Sequence, residues 1–294
     1  MLPADVIRQV RRLQIRARRA VQGLLGGAYH SAFKGTGLAF DEVREYHPGD
    51  DVRRIDWNVT ARAGHPFIKR YTEERELTVM LVADLSGSQR FGTGFRTKRQ
   101  VTAELAALLA ISAVSNNDRV GLVGFTDRVE KSVPPMRGTR HALRLLRDIL
   151  YFDPVGRGTD LRTALDFVNT VRRRRATVFV FSDFLGTGFD DAFRRAASRH
   201  DLIAVRTADP LEQQWPAAGL VQLEDAETGR QLLINTSDAA FRAGFAARSA
   251  ERVQAFNRLA RSAGVDVIDV STGGDHAEAL VKFFRLREHR RRRG

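Results

Sequence analysis

The sequence predicts an α/β fold with a doubly wound, mostly parallel sheet at its centre. Short apolar runs rich in Val, Ile and Phe, such as residues 77–83 and 177–182, recur along the chain, and stretches with helical periodicity separate them. Strands that alternate with helices are typical of a parallel sheet covered on both faces, because crossover helices join parallel neighbours. The 294 residues, of which 43% are hydrophobic, are enough for one such domain and a smaller appendage.

The first predicted element is an amphipathic helix over residues 5–25, which Gly26 and Gly27 are expected to end. Its apolar positions are Val6, Val10, Leu13, Ala17, Val21 and Leu24. We expect this stripe to dock on the body of the protein. A helix that lies on a membrane surface or binds a partner is the alternative.

Extended pieces at 39–46 and 66–75, set between glycines, predict a small β region after this helix. Later strands are predicted at 77–83, 119–125, 129–133, 177–182, 202–206 and 265–270, and helices at 97–115, 138–150, 161–172, 189–199, 238–262 and 276–287. The strand at 129–133 is expected to pair antiparallel. Residues 220–224 and 231–234 are expected to form an inserted hairpin.

These elements divide the chain into four parts. They are a basic amphipathic helix (1–27), a small β region (28–76), the main α/β domain (77–275) with a hairpin insertion (219–235), and a C-terminal helix with an Arg-rich tail (276–294).

The net charge of +13 is concentrated at the two ends. Residues 1–27 hold six arginines and one aspartate, which gives +5, and residues 280–294 hold one lysine and six arginines against one glutamate, which gives +6. Only +2 is left for the body, so a nucleic-acid-binding groove across it is not expected. A tether of the basic ends to nucleic acid or an anionic membrane is kept as an alternative.

Several kinds of chemistry are excluded by what the sequence lacks. Cysteine is absent, so there is no thiolate nucleophile, disulfide or Cys-based zinc site. The histidines form no His-x-x-x-His pair, no Gly-Lys-Ser/Thr completes a phosphate-binding loop, and no Gly-x-Ser-x-Gly surrounds Ser86. Since no apolar run approaches the roughly 20 residues that span a bilayer, we expect a cytoplasmic protein.

Five oxygen-bearing side chains follow predicted strands or lie in a glycine-rich loop. They are Asp84, Ser86 and Ser88 in an Asp-x-Ser-x-Ser motif, Thr159 in Gly-Arg-Gly-Thr-Asp, and Asp183. If their three loops lie at the carboxyl ends of neighbouring parallel strands, they converge where open α/β sheets bind ligands. Carboxylate and hydroxyl oxygens suit Mg²⁺, Mn²⁺ or Ca²⁺. The alternative needs no metal, because an aspartate and hydroxyls can cap the turn that follows.

The same five residues resemble the metal-ion-dependent adhesion site of von Willebrand factor A-like domains. Upstream, the stretches 40–46, 49–57 and 73–76 resemble a bacterial family of unknown function whose members carry them ahead of an A-like domain. That family is similar to the proteins found beside MoxR-type AAA+ ATPases. The resemblance covers about residues 28–275.

The resemblance implies a function as well as a fold. The hydroxyls would be neutral ligands of the cation, and the two aspartates would act directly or through water. Because so few carboxylates leave the cation poorly neutralised, an acidic residue of a partner protein would be the sixth ligand. We therefore expect a non-enzymatic, metal-dependent interaction protein, an adaptor or regulatory partner of a MoxR-type AAA+ ATPase in protein assembly or remodelling. A metal-dependent hydrolase at the same site is the alternative.

A second charged stretch lies upstream. Its residues are Asp50, Asp51, Arg53, Arg54, Asp56 and Trp57. The plain interpretation is a turn whose carboxylates pair with the arginines while the tryptophan packs against the domain. A partner-docking or second acidic site is the alternative.

Overall fold

The computed structural model describes residues 4–33, 39–72 and 76–293. The strands are β1 (Ala39–Glu45), β2 (Phe67–Thr72), β3 (Thr78–Asp84), β4 (Arg119–Phe125), β5 (Val129–Met136), β6 (Thr177–Ser182), β7 (Asp201–Ala208), β8 (Leu220–Glu224), β9 (Gln231–Asn235) and β10 (Asp266–Ser271). The helices are α1 (Ala4–Ala20), α2 (Gly26–Phe33), α3 (Trp57–Ala63), α4 (Lys98–Ser115), α5 (Thr139–Tyr151), α6 (Leu161–Val171), α7 (Asp190–Arg199), α8 (Pro210–Gln213), α9 (Ala239–Ser262) and α10 (His276–Arg293).

Six strands form the central sheet in the order β10-β7-β6-β3-β4-β5. Neighbours in this sheet are parallel, except that β5 runs antiparallel to β4 at one edge. The predicted fold class is therefore confirmed, together with the antiparallel strand after β4. Strand β3 lies between β4 and β6, so its carboxyl end is next to theirs.

Both faces of the sheet are covered by helices. Along β3, Leu81 and Ala83 belong to a core shared with α1, α2, α4, α5 and α10, whereas Met80 and Val82 belong to a core shared with α6, α7 and α9. Successive residues of a strand point to opposite faces, so a strand buried on both faces is apolar throughout. This explains why the run 77–83 shows no polar alternation.

The N-terminal helix docks on the body, as its apolar stripe predicts. Val10, Leu13 and Ala17 are buried, and Leu13 and Ala17 belong to the same apolar core as α4. Helix α4 is thereby covered on its outer side, and most of its residues are buried. A helix that is buried all round needs no polar face, which fits its weak amphipathicity.

The predicted end of this helix at Gly26 is wrong. A π-helical turn (Val21–Leu25) leads directly into α2, which continues to Phe33. Tyr29 and Phe33 are buried, and their rings lie 5.8 and 5.5 Å from the ring of Phe284. Burial of two aromatic side chains outweighs the roughly 1 kcal/mol that each glycine costs in a helix.

The predicted small β region is confirmed in its two strands, since β1 pairs antiparallel with β2. The segment between them is helical, which the periodicity does not predict. Asp51 caps a 3-10 turn (Val52–Arg54) and Asp56 caps α3, which ends at Gly64 with a left-handed φ of 76°. Residues 73–75, which belong to the predicted extended piece 66–75 and to the stretch 73–76, lie outside the described residues.

The inserted hairpin is confirmed, with β8 paired antiparallel to β9. Its base is closed by Thr236, whose N–H and hydroxyl both donate to the carbonyl oxygen of Gly219, at 2.7 and 2.8 Å. The C-terminal helix α10 begins where predicted and runs on to Arg293. Among the described residues, no helix combines the length and apolarity needed to cross a membrane.

Candidate metal centre

The site lies at the carboxyl edge of the central sheet, where β3 and β6 end side by side. Asp84 is the last residue of β3, and Asp183 follows the last residue of β6. The hydroxyl of Ser182 donates to Oδ2 of Asp84 at 2.9 Å, which joins the two strand ends. Parallel pairing of β3 with β6 therefore brings the two predicted aspartates to neighbouring positions.

The serines of the motif turn toward these aspartates. The N–H of Ser86 donates to Oδ1 of Asp84 at 2.9 Å, and the following 3-10 turn (Gly87–Arg90) brings the hydroxyls of Ser86 and Ser88 within 3.1 Å of each other. The Ser88 hydroxyl also donates to Oδ2 of Asp183 at 3.3 Å. Four of the five predicted ligands thus form one hydrogen-bonded cluster.

The fifth predicted ligand, Thr159, lies on the loop that precedes α6. Asp160 caps that helix, and the carbonyl oxygen of Arg157 accepts the N–H of Gly87 at 3.0 Å, which ties this loop to the serine loop. The Thr159 hydroxyl donates to Oε1 of Glu227 at 2.7 Å. Its bonding partner is therefore the inserted hairpin rather than one of the other four residues.

The two aspartates are buried close together. Asp84 is 1% exposed and Asp183 is 8% exposed. Burial, and after it the neighbouring charge of Asp183, raises the pKa of Asp84 to about 7. Two adjacent buried carboxylates are costly to ionise unless a positive charge lies beside them. A cation held between them would lower that cost.

One positive charge is already present and was not predicted. The side chain of Lys98 is fully buried at the start of α4, and its Nζ donates to Oδ2 of Asp183 at 2.8 Å and to Oε1 of Glu212 at 2.6 Å. Burial lowers the pKa of Lys98, but the two carboxylates outweigh it and the net shift is upward. The sequence held one signal for this residue. Only five of the 48 basic residues in the chain are lysines, so a lysine at the start of a predicted helix is an unusual choice.

A buried amide completes the cluster. Nε2 of Gln89 lies 3.5 Å from one oxygen of each aspartate, which is a long contact for a hydrogen bond. Its Oε1 is buried with no hydrogen-bond partner among the described residues. A buried polar oxygen without a partner is uncommon in folded proteins.

The donor set fits a hard divalent cation. Two carboxylates and two hydroxyls converge, with a third hydroxyl on the adjoining loop, and Mg²⁺ accepts such oxygens while retaining water. Within the described parts of the chain, no group of three or more His, Cys, Asp and Glu side chains could hold a metal. A cation here would therefore depend on hydroxyls and water as much as on carboxylates.

The second charged stretch is arranged differently from its plain interpretation. Asp50 accepts two hydrogen bonds from Arg44, at 2.7 and 2.9 Å, rather than from Arg53. These bonds lower the pKa of Asp50. Asp51 accepts the N–H of Arg53 at 3.0 Å as a cap. The side chain of Arg54 lies outside those described.

In the same stretch, Asp56 caps a helix and the ring of Trp57 is exposed to solvent. Asp56 accepts the N–H groups of Asn58 and Val59 at 3.0 and 3.3 Å, which begins α3. The expectation that Trp57 packs against the domain is wrong, because it is 69% exposed. The backbone just before it is held to β2, by a bridge of Ile55 to Ile68 and by the N–H of Asp56, which donates to the carbonyl oxygen of Phe67 at 2.8 Å.

The strand order, with helices on both faces of the sheet, places this α/β domain in the von Willebrand factor A-like fold class. Within that class, the chain belongs to the family described as protein of unknown function DUF58, whose model matches residues 42–255. This confirms the predicted resemblance to a bacterial family of unknown function. The association with MoxR-type ATPases stays a prediction.

The chain is also similar to individual proteins. The chain is 33% identical over 279 residues to the uncharacterized protein Rv1480 of Mycobacterium tuberculosis, covering 93% of this chain and 87% of the relative. Similar solved structures include BatB from Bacteroides thetaiotaomicron, with a TM-score of 0.47, 15% identity, and coverage of 72% of this chain and 99% of that one. The SpRpn10 VWA domain has a TM-score of 0.42 and 11% identity, covering 71% of this chain and 95% of that one.

Proposed function

We propose that this chain is a protein-interaction module that binds its partner through a divalent cation, and that it is not an enzyme. The observation that carries the proposal is the cluster of Asp84, Ser86, Ser88 and Asp183 at the carboxyl edge of the sheet. Mg²⁺ is the favoured cation, and Mn²⁺ and Ca²⁺ have the same preference for oxygen.

The residues would hold the cation in different ways. Asp84 and the two serine hydroxyls are the direct ligands, with Thr159 reaching from the next loop. Asp183 acts through water, because the positive charge of Lys98 already lies against its Oδ2, whereas the donors to Asp84 are neutral groups of Ser86, Ser182 and Gln89. When bound, the cation supplies an open position that attracts a carboxylate from outside.

The proposed partner is a MoxR-type AAA+ ATPase, with this chain as its adaptor or regulator in protein assembly or remodelling, in the cytoplasm. This part depends on the resemblance of the stretches around residues 40–76. The exposed ring of Trp57 supports the docking interpretation of that region, since large aromatic side chains are enriched at protein interfaces.

Calorimetric titration of Mg²⁺ and Mn²⁺ tests the cation site. We expect saturable binding to the wild type and loss of binding in Asp84→Asn, which keeps the shape of the side chain but removes its charge. Asp153→Asn is the matched control, because that carboxylate is exposed and pairs with Arg90. Equal binding by the wild type and Asp84→Asn, with both folded, would refute the proposed site.

A metal-dependent hydrolase is the second candidate. The buried Lys98 beside Asp183 favours it, because a lysine near an acidic metal site could stabilise a phosphoryl group. Against it, Ser86 occupies the position two residues after Asp84 where aspartyl-phosphate chemistry needs a second acid. Turnover of p-nitrophenyl phosphate above the blank, abolished by Asp183→Ala, would establish this activity.

A tether through the basic ends is the weaker alternative. Arg287 of α10 pairs with Asp201 and with Asp266, and Arg290 also pairs with Asp266. Part of the basic charge at the C-terminus is thus neutralised within the chain, which leaves less of it for phosphates.

A further inference from the structure

We propose that the inserted hairpin is an internal ligand of the metal centre, in which Glu227 takes the place that an acidic side chain of a partner would take. This proposal rests on the proposed function, since it concerns the same cation site. It adds that the site is self-occupied at rest, and that a partner binds by displacing the hairpin.

The first observation is the position of the Glu227 carboxylate. Its Oε1 accepts the hydroxyl of Thr159 at 2.7 Å, although the two residues are 68 positions apart in the chain. Its Oε2 lies 3.8 Å from where a Cβ on Gly158 would be. A carboxylate that accepts the threonine proton leaves the hydroxyl lone pairs directed elsewhere, as a ligand of a cation requires.

The second observation is a close backbone contact on the other side of the site. A Cβ placed on Gly87 would overlap the carbonyl oxygen of Ala226 and would lie 3.5 Å from its Cβ. Gly87 stands between the two serines of the motif. The hairpin turn therefore touches both loops that supply hydroxyl ligands, and it covers the gap between them.

The third observation is that the turn is rigidly built. Asp225 accepts the N–H groups of Glu227 and Thr228 at 2.9 and 3.0 Å, and the N–H of Gly229 donates to its carbonyl oxygen at 2.7 Å. An aspartate that holds its own turn in this way fixes the direction of the residues that follow. Glu227 is half-buried, whereas its neighbours Ala226 and Thr228 are exposed.

The hairpin is otherwise loosely attached. Leu220, Leu232 and Leu233 are 69%, 52% and 68% exposed, so its strands bury little apolar surface. A two-stranded hairpin is only marginally stable without such packing. The contacts of its tip with the site therefore contribute much of what holds it in place, and a competing ligand could remove it.

These contacts also define the chemistry of the partner. The competing segment needs a carboxylate to replace that of Glu227, and its backbone must approach Gly87 as closely as that of Ala226 does. A tight turn is the natural carrier, as in the hairpin itself. We infer that the partner presents a Glu or Asp at such a turn.

The experiment compares the full-length wild type with three variants. Glu227→Gln removes the charge, Gly87→Ala pushes the turn away without changing a ligand, and Glu224→Gln is the control, an exposed acid on the same hairpin. Mn²⁺ affinity is measured from the EPR signal of free Mn²⁺. Hydrogen exchange of residues 225–230 is measured by mass spectrometry with and without Mg²⁺.

We expect Mg²⁺ to slow exchange in the turn of the wild type and of Glu224→Gln. This protection should be lost in Glu227→Gln and Gly87→Ala, and Glu227→Gln should bind Mn²⁺ about tenfold more weakly, as other changes near a bound metal do. Higher ionic strength should restore neither the protection of the turn nor the Mn²⁺ affinity of Glu227→Gln, because the lost group is a ligand and not a distant charge.

Three results would overturn the proposal. The first is an unchanged Mn²⁺ affinity in Glu227→Gln together with exchange in the turn that does not respond to metal. That result would refute the role of Glu227 as a ligand but would leave the proposed metal centre standing. Tighter Mn²⁺ binding by Glu227→Gln would mean that the hairpin opposes the cation. If the wild type and every variant fail to bind Mn²⁺, the proposed function itself fails, and this inference fails with it.

Discussion

Replacement of Lys98 by methionine is predicted to weaken the fold and strengthen the metal site at the same time. The side chain of Lys98 is fully buried and bonds to Asp183 and Glu212 at 2.8 and 2.6 Å. Methionine preserves most of its volume but removes the charge. Asp183 then has no cation beside it, and a divalent ion becomes the natural replacement.

The magnitude follows from the burial of the two carboxylates. Removing one partner of a buried ion pair costs about 3–5 kcal/mol, because the other charge is left uncompensated. The side chain of Asp183 is 8% exposed, but that of Glu212 is 23% exposed, so water can partly solvate Glu212. We therefore expect the lower end of that range, about 3 kcal/mol.

The effect on the metal is opposite in sign. A divalent cation and a unit positive charge about 5 Å apart repel each other by roughly 7 kcal/mol at an effective dielectric constant near 20. Loss of the lysine charge removes a repulsion of this order from the cation, which water and counterions reduce. We predict that Lys98→Met binds Mg²⁺ about tenfold more tightly, a gain of about 1.4 kcal/mol.

Urea unfolding measures the first effect, with the fluorescence of the buried Trp215 as the signal. Calorimetry measures the second, and added Mg²⁺ should restore part of the lost stability. Lys282→Met, at an exposed position of α10, is the control that should change neither quantity. A variant as stable as the wild type, or one with weakened Mg²⁺ binding, would refute this account of the site's electrostatics.

Three further predictions concern other regions. Tyr29→Phe removes the hydrogen bond of 3.0 Å to Asp118 and should lower the free energy of unfolding by about 1–2 kcal/mol in urea titrations, while a wild-type midpoint would show that α2 is not anchored there. Asp209 is buried, which raises its pKa, but hydrogen bonds from the backbone N–H of Thr93 and from the Thr272 hydroxyl outweigh burial and lower it. The stability that this carboxylate contributes is present at neutral pH and is lost as the pH falls below about 4. The difference in free energy of unfolding between the wild type and Asp209→Asn should therefore shrink in acid unfolding curves. A difference that does not change with pH would show that the carboxylate is not ionised. Trp57→Ala should change stability by no more than about 0.5 kcal/mol, since the ring is exposed, yet should weaken capture of the ATPase in pull-downs; unchanged capture would exclude docking at this ring.

The sheet could be predicted closely because its strands have a local signal. β4 and β6 have the predicted bounds, and β3 differs by a residue at each end, since runs buried on both faces are apolar throughout. The helical segments that were missed depend on other information. α2 forms because Tyr29 and Phe33 are buried by distant residues, and α3 is a seven-residue helix too short for a periodic pattern.

The residues of the candidate site also differ in whether a local sequence signal predicts them. Asp84, Ser86, Ser88 and Asp183 were predicted to converge because they follow parallel strands, whose carboxyl ends meet at one edge of a sheet. Thr159 was singled out by its glycine-rich loop and by the resemblance. Lys98 and Glu227 were missed because their partners are 85 and 68 residues away, and no nearby pattern reports such contacts. The hairpin itself was predicted, but nothing in its sequence indicates that its tip lies on the site.

The most direct test of the central claim is diffraction from crystals of the full chain grown with Mn²⁺, collected where manganese scatters anomalously. The account predicts a single strong anomalous peak bounded by Asp84, Ser86, Ser88 and Thr159, with Asp183 one water away, and no such peak in Asp84→Asn. The absence of a peak there in wild-type crystals that contain saturating Mn²⁺, or a peak that persists in the variant, would contradict it.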